Sequence, residues 1–356
     1  MGYKKRNNEY IQKTVIMAFF RQELAIDLGT ANTVIFKDGK VVLDEPSIIA
    51  IESKTEKVVA LGKQAQNIEE RSGSRIYTTR PLMNGVIADY DAAEKMLSGF
   101  IKRAAGRRRG LLSPSLRVVI GIPGGSTPVD KRSIRDSSSH AGAREVYMIY
   151  EPMASALGIG LDVAAPGGNM VVDIGGGTTE IAVISLGGII ESSSIHVAGN
   201  ELTTNIIDYL TQQHNITIGH STAEEIKFAV GSVLPELPEE EEPGDYVVLG
   251  RNVVTAHPAE ATISYHEVSS CIDKTISKIE GEIIKVLQRT PPELYSDIVR
   301  NGIWLAGGGA MLRGLARRFS DKVNIVFRVA EDPLKAVARG TCLALRGVDS
   351  YPFMMR

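Results

Sequence analysis

The sequence has little that would support a disulfide framework, a zinc cluster or a membrane span. Its 356 residues include two cysteines, Cys271 and Cys342, which lack the paired spacing of zinc ligands. No apolar run approaches the ~20 residues needed to cross a bilayer. We therefore expect reduced thiols in a cytoplasmic protein.

An excess of one charge is also absent, because 40 basic residues stand against 42 acidic ones. A net charge near zero argues against bulk attraction to nucleic acid, so we expect no nucleic-acid partner and only local binding of anions or membranes. The hydrophobic content of 43% is that of a globular protein, and the chain is long enough for two domains.

The N-terminus has the order of charge and hydrophobicity of a secretory signal. Lys4, Lys5 and Arg6 precede an apolar run at 15–20. That run is short, however, and no small-residue cleavage site follows it. We expect no export, and we interpret residues 1–16 as an N-terminal extension.

Two similar stretches carry the strongest functional signal: AIDLGTANT at 25–33 and VVDIGGGTTE at 171–180. Each predicts a strand that ends in an Asp, a turn of Gly and Thr, and a second strand. Glycines let backbone N–H groups approach phosphate oxygens, and carboxylates such as Asp27 and Asp173 hold Mg²⁺, often through water. A single copy could be an ordinary hairpin, but two copies favour a nucleotide site. Neither is a Walker A loop or a Rossmann fingerprint.

Two further stretches extend this site. WLAGGGAMLRG at 304–314 predicts a buried strand, a glycine turn and a helix, which would face the base and sugar. In YEPMASALG at 150–158, Glu151 precedes Pro152 at a predicted helix start. Glu151 is either an acid that complements the helix dipole or the group that orients a water attacking the γ-phosphate. We favour the second interpretation.

The two halves of the chain repeat one order of elements. Strands near 24–28, 33–37 and 41–43, a helix near 91–105 and a strand at 116–122 are followed by a second series. That series has strands at 169–174, 180–186 and 189–196 and helices near 200–214 and 269–288. The repetition predicts an α/β protein with two related βββαβα-type domains flanking a nucleotide cleft.

We place domain I at 17–165 and 340–356, with a small inserted subdomain at about 50–93. Domain II covers 166–339, with a small inserted subdomain at about 202–257. The acidic run Glu239–Glu242 lies among prolines, and we expect a solvated surface loop there.

The amino-acid sequences of these elements resemble those of the actin, sugar kinase and heat-shock ATPase superfamily. Within it, they resemble the MreB family of actin-like filament proteins. The resemblance runs from about residue 17 to about residue 345. It rests on these segments: IDLGTANT, EPSIIAI at 45–51, RPLMNGVIADY at 80–90, VVIGIP at 118–123, EPMASA at 151–156, NMVVDIGGGTTEIAVISLG at 169–187 and TPPEL at 290–294.

The resemblance implies an actin-like fold and a set of site residues. Glu151 and Thr178 would handle the hydrolytic water, and Asp27 and Asp173 would hold Mg²⁺ through water. The residues around the phosphates would be Asp27, Gly29, Thr30, Ala31, Asn32, Asp173, Gly175, Gly176, Gly177 and Thr178. Those near ribose and base would be Glu224, Lys227, Gly307, Gly308, Gly309 and Met311.

One departure from the family concerns Tyr150, since MreB sequences usually read Glu-Glu-Pro at residues 150–152. The second Glu of that motif is retained as Glu151, but a phenol now precedes it, so the hydrolysis rate is open. A basic and apolar segment also resembles the membrane loop of MreB: Arg107, Arg108, Arg109, Leu111 and Leu112. The alternative there is a solvated basic helix end with the leucines folded under.

The function implied by the resemblance is a slow ATPase that forms homopolymeric filaments. These would lie at the inner face of the cytoplasmic membrane, direct cell-wall synthesis with membrane proteins of that machinery, and maintain rod shape. ATP is the expected nucleotide, with GTP left open. Two alternatives remain: a monomeric ATPase or kinase of the same superfamily, and a nucleotide-binding scaffold that does not hydrolyse.

Overall fold

The computed structural model describes residues 21–69, 75–106, 114–348 and 350–356. The chain divides into two compact units. Unit 1 comprises the described residues up to Ile122, Ser126–Ile149 and Thr341–Arg356, and unit 2 comprises Pro123–Gly125 and Tyr150–Gly340. The boundary expected between residues 165 and 166 falls inside unit 2, because the helix Glu151–Ile159 packs against strands of that unit.

Unit 1 is built on a mixed sheet that has five strands among the described residues. These are β1 (Arg21–Leu28), β2 (Asn32–Lys37), β3 (Lys40–Pro46), β9 (Ser115–Ile122) and β10 (Ala143–Tyr150), in the spatial order β10-β9-β1-β2-β3. Strand β1 pairs antiparallel with β2 and parallel with β9. Helices α2 (Tyr90–Ala105) and α3 (Pro128–His140) accompany the sheet.

A smaller group of elements follows β3 in unit 1. It contains a three-stranded sheet with β4 (Ile49–Glu52), β5 (Val58–Leu61) and β6 (Ile76–Thr79), helix α1 (Lys63–Glu69), and the short pair β7 (Leu82–Met83) and β8 (Val86–Ile87). Ile48, Ala50, Ala60 and Ala65 form a small core beneath this sheet. These elements fall within or beside the segment 50–93.

Unit 2 has a second mixed sheet of the same kind. Its strands among the described residues are β11 (Asn169–Ile174), β12 (Thr179–Ser185), β13 (Gly188–Ile195), β17 (Ile303–Ala306) and β18 (Phe327–Val329), in the order β13-β12-β11-β17-β18. Strand β11 pairs antiparallel with β12 and parallel with β17. The helices are α4 (Glu151–Ile159), α5 (Gly199–Gln213), α6 (His220–Val230), α7 (Tyr265–Arg289), α8 (Pro292–Asn301), α9 (Leu315–Val323) and α10 (Ala336–Arg346), which crosses into unit 1.

A small sheet also stands apart in unit 2. It consists of β14 (Ile216–Thr217), β15 (Tyr246–Asn252) and β16 (Pro258–Ile263). The acidic run before β15 is exposed, as expected, although Glu239–Glu241 forms one turn of 3-10 helix. These strands lie partly beyond the segment 202–257, since β16 continues to Ile263.

The long helix α7 contributes many of the buried side chains in the core of unit 2. Ser264 and Glu267 form a capping box at its start, and Pro291 follows its end. One side of the helix is apolar at steps of three and four residues, and all members of that stripe are buried: Ile272, Ile276, Ile279, Ile283 and Leu287. The predicted helix near 269–288 is therefore confirmed and extends four residues further at its N-terminus.

The two large sheets have the same internal order. In each, the first strand is central, the next two follow antiparallel on one side, and the fourth pairs parallel on the other. This repetition confirms the α/β fold with two related halves. Among the described residues, none of the helices is both long and apolar enough to cross a membrane.

Candidate functional site

The hairpin of unit 1 is held by Ser47, the residue that follows β3. Ser47 Oγ donates to the Gly29 carbonyl oxygen over 2.6 Å, and Ser47 N donates to the Ala31 carbonyl oxygen over 2.9 Å. Thr30 Oγ1 accepts from Gly85 N over 3.1 Å. A Cβ on Gly29 would lie 2.7 Å from the Asn32 carbonyl oxygen, so the turn requires glycine. Asp27, one residue before the last of β1, is half-buried.

The hairpin of unit 2 is fixed by the start of α5. Gly199 N donates to the Gly175 carbonyl oxygen over 3.1 Å, and Asn200 N donates to the Gly176 carbonyl oxygen over 2.7 Å. Within the turn, Gly175 N donates to the Thr178 carbonyl oxygen over 2.9 Å. Thr178 is buried. The predicted glycine and threonine turn therefore exists as a closed hairpin between β11 and β12.

Asp173 lies one residue before the end of β11 and is buried. Ser155 Oγ of α4 donates a hydrogen bond to its Oδ2. Burial raises the pKa of Asp173 to about 6, and the Ser155 hydrogen bond opposes that shift. A buried carboxylate at a strand end beside a glycine turn has the chemistry of a Mg²⁺ ligand, acting directly or through water.

Glu151 is the first residue of α4, with Tyr150 as N-cap and Pro152 directly after it. A carboxylate at this first helical position complements the helix dipole. Ser155 stands four residues later, so it lies on the same helix face one turn away. Through Ser155, the structure holds the helix that carries Glu151 against the strand that carries Asp173.

Glu180 on β12 is a buried carboxylate that sequence reasoning missed. It pairs directly across the hairpin with Asp173 and is 2% exposed. Burial raises its pKa to about 7; the nearby Asp173 charge adds to the rise, and hydrogen bonds from Ser194 and Gly124 oppose it. The available signal was a single charged residue, the first of EIAVI at 180–184, in an otherwise apolar strand segment.

Glu224 and Lys227 lie together on α6, as expected from their i, i+3 spacing. Lys227 is 8% exposed, and its ammonium donates to the Gly199 carbonyl oxygen over 3.0 Å, to Thr203 Oγ1 over 2.9 Å and to Glu224 Oε1. An ammonium has three protons, so these partners occupy all of them. Lys227 therefore supports the start of α5, and contact with a nucleotide would require it to exchange a partner.

The glycine turn after β17 crosses the end of β11. Gly307 has a φ of 77°, and a Cβ there would collide with the Ile174 carbonyl oxygen and Asp173 Oδ1. A Cβ on Gly309 would likewise collide with the Ile174 side chain. The expected helix does not follow directly, because Gly308–Met311 is one turn of 3-10 helix and α9 starts only after Gly314 in a left-handed conformation. Met311 is exposed.

Unit 2 thus gathers most of the predicted site residues at the β11–β12 hairpin. Asp173 lies two residues before the Gly175–Thr178 turn, and Gly307 and Gly309 approach Asp173 and Ile174. Glu151 and the Glu224–Lys227 pair are connected to this hairpin through Ser155 and Gly199. Asp27 and the Gly29–Asn32 turn belong to unit 1. The expected membrane segment, Arg107–Arg109 with Leu111 and Leu112, lies outside the described residues.

The sequence comparisons agree with this architecture. A family model described as MreB/Mbl protein matches residues 21–351. The chain belongs to the MreB/Mbl family. The "Cell shape-determining protein MreB" of Escherichia coli (strain K12) is 42% identical over 337 residues, which cover 93% of this chain and 95% of that protein. The predicted membership of an actin-like, cell shape-determining family is therefore confirmed.

Solved MreB structures show the same fold. MreB5 of Spiroplasma citri bound to AMPPNP superposes with a TM-score of 0.84 at 35% identity, covering 92% of this chain and 97% of that one. The same protein bound to ADP gives a TM-score of 0.85, covering 93% of this chain and 99% of that one. The MreB/Mbl fold of this chain is thus one in which a relative binds adenine nucleotides.

Proposed function

We propose that this protein binds ATP with Mg²⁺, hydrolyses it slowly and assembles into filaments at the inner face of the cytoplasmic membrane. There the filaments direct cell-wall synthesis together with membrane proteins of that machinery and so maintain rod shape. The observation that carries the proposal is the arrangement in unit 2. Asp173 lies beside the glycine hairpin, and Ser155 ties it to the helix that starts with Glu151.

In this proposal the two hairpins supply backbone N–H donors to the phosphates. Asp173 and Asp27 hold Mg²⁺, which would neutralise charge on the β- and γ-phosphates. Glu151 and Thr178 orient the attacking water. Positioning groups are present without a recognisable pocket for a phosphoryl acceptor among the described residues, which favours slow hydrolysis over kinase activity. The AMPPNP and ADP complexes of the Spiroplasma citri relative support an adenine nucleotide.

The membrane part of the proposal rests on the sequence at 107–112. Each basic residue near an anionic surface contributes roughly 1 kcal/mol, and two buried leucines add a few more. One copy would bind weakly. A filament that presents many such segments would bind firmly through avidity.

The test is sedimentation of the purified protein with anionic liposomes, with and without Mg·ATP. The parent is compared with a Leu111→Ser, Leu112→Ser double variant, and Leu186→Ser serves as a matched control because Leu186 is an exposed leucine in the β12–β13 turn. We expect nucleotide-dependent pelleting of the parent and of the control, with lipid binding lost only in the double variant.

Other outcomes separate the alternatives. A protein that stays monomeric while it turns over ATP would contradict the filament proposal and support a monomeric ATPase. A protein that binds nucleotide and polymerises without hydrolysis would support the scaffold, to which Tyr150 beside Glu151 would then contribute.

A further inference from the structure

Glu180 is a buried carboxylate that is not among the groups proposed to bind Mg²⁺ or the attacking water. Its Oε2 accepts a hydrogen bond from Gly124 N over 3.2 Å, and its Oε1 accepts one from Ser194 Oγ on β13 over 2.6 Å. The first of these partners belongs to the turn Pro123–Gly125. This turn follows β9 in the chain, yet it belongs to unit 2. Glu180 of β12 therefore binds a three-residue turn that lies between two segments of unit 1 in the chain.

The turn lies close against its anchor. A Cβ on Gly124 would lie 2.8 Å from Glu180 Oε2, and one on Gly125 would lie 3.4 Å from Ser194 Oγ. Glycine at both positions lets the backbone come this near to the strands.

The face on which the turn is held is the face of the hydrolytic groups. Glu180 and Asp173 are directly opposite in the antiparallel pair β11–β12, so their side chains emerge on the same side of the sheet. Ser155 brings α4 to Asp173 on that same side. The turn, the helix that starts with Glu151 and Asp173 therefore share one face next to the hairpin end.

We propose that Glu180 is a positioning residue for ATP hydrolysis, acting by fixing the Pro123–Gly125 turn on the face of unit 2 that carries Asp173. It works through the Gly124 N–H and does not touch the reacting atoms. The proposal rests on the proposed ATPase function. Its physical basis is that hydrolysis requires the participating groups to be held within a fraction of an ångström of their places. A mobile turn beside the site therefore lowers the hydrolysis rate more than the nucleotide affinity.

Two substitutions of Glu180 separate anchoring from a role of its charge. Glu180→Gln keeps an acceptor for Gly124 N–H, and its amide can donate to Ser194 Oγ, so the turn stays in place. Glu180→Ala removes both hydrogen bonds. Gly124→Ala is a third variant that keeps Glu180 but places a methyl carbon 2.8 Å from its Oε2, so the contact between the turn and the carboxylate must open.

The first measurement is single-turnover hydrolysis beside nucleotide affinity, with Glu151→Ala as the benchmark. We expect Glu180→Ala and Gly124→Ala to lower turnover roughly tenfold with an affinity within about threefold of the parent. Glu180→Gln should stay within about threefold in both. Equal loss in Glu180→Gln and Glu180→Ala would overturn the proposal in favour of a charge effect, and parental turnover in Glu180→Ala would overturn it outright.

The second measurement is amide hydrogen exchange at Gly124 in the nucleotide-free protein, which needs no activity. Exchange should be fast in Glu180→Ala and slow in the parent and Glu180→Gln; equal exchange in all three would contradict the anchoring. If the parent binds no nucleotide, or Glu151→Ala hydrolyses as fast as the parent, the proposed function or its mechanism fails, while the exchange result still decides whether Glu180 anchors the turn.

Discussion

Ser155 donates a hydrogen bond to Asp173, and both side chains are buried. The hydroxyl comes from the first turns of α4 and the carboxylate from the end of β11. One hydrogen bond thus joins the helix that begins with Glu151 to the strand that carries the candidate Mg²⁺ ligand.

Ser155→Ala should destabilise unit 2 by about 1–3 kcal/mol, because a buried carboxylate oxygen loses its donor. Urea unfolding followed by circular dichroism measures this. Ser269→Ala is the matched control, since Ser269 is also buried in unit 2 but its hydroxyl donates within its own helix, to the His266 carbonyl oxygen. Equal losses in the two variants would show that the Asp173 contact has no special weight.

Glu151→Ala should lower ATP hydrolysis by roughly 10²-fold, the size typical of removing a group that handles a water's proton. Nucleotide affinity should change little, since the carboxylate is assigned to the water. Glu293→Ala is a close control, because Glu293 also lies in the first turn of a helix beside a proline. Its neighbour Leu294 packs against Gly168, at the opposite end of β11 from the hairpin. If Glu151→Ala hydrolyses ATP at the parental rate, Glu151 serves only to complement the dipole of its helix.

The free energy of unfolding of the nucleotide-free protein in EDTA should fall as pH rises from about 4.5 to about 7. The pKa of Glu180 is raised to about 7 in the folded state from an ordinary value of 4.5. In that window the native state keeps a proton that the unfolded chain has lost, so rising pH favours unfolding.

Glu180→Gln does not titrate and should remove roughly 1–3 kcal/mol of that pH dependence. Denaturation curves at several pH values give the slope for both proteins. An unchanged slope would mean that Glu180 ionises at its ordinary pH in the folded chain.

Lys227→Met should cost about 2–4 kcal/mol, because Glu224 and the Gly199 carbonyl oxygen lose a buried cation. It should also weaken nucleotide binding, since Gly199 N in turn holds the Gly175 carbonyl oxygen of the hairpin. Lys274→Met on the exposed side of α7 is the control and should be nearly neutral. Isothermal titration calorimetry with ATP measures the binding effect. An unaltered affinity would show that Lys227 stabilises the fold without affecting nucleotide binding.

Gly158→Ala should prevent folding of unit 2 or destabilise it severely. A Cβ there would collide with the Ala336 carbonyl oxygen and lie 2.9 Å from Gly340 N, where α4 crosses α10. Gly281→Ala in α7 has nothing within 4 Å of its new methyl group and should stabilise by about 0.5–1 kcal/mol. Thermal melts of the two variants should shift in opposite directions; a tolerated Gly158→Ala would show that the helices can separate.

Local patterns were sufficient for the elements and for the repeated order of strands. The isoleucine stripe of α7, the Asp-Gly-Thr hairpins and Pro291 after the helix each express a period or a turn preference that depends on neighbours in the chain. The glycine turn after β17 was also visible, but its 3-10 geometry was not, because the left-handed Gly314 delays α9.

Periodicity and motifs were sufficient to predict the α/β class, the two related halves, the family and the hairpin residues, because these features depend on neighbours in the chain. Three contacts could be seen only in the folded chain: Ser155 with Asp173, Glu180 with Gly124, and Lys227 with its three acceptors. Those partners are separated by 18, 56 and up to 28 residues in the chain. Such pairs come together only when the sheet has formed. Because the groups are then buried, losing either partner costs more free energy than it would at the surface.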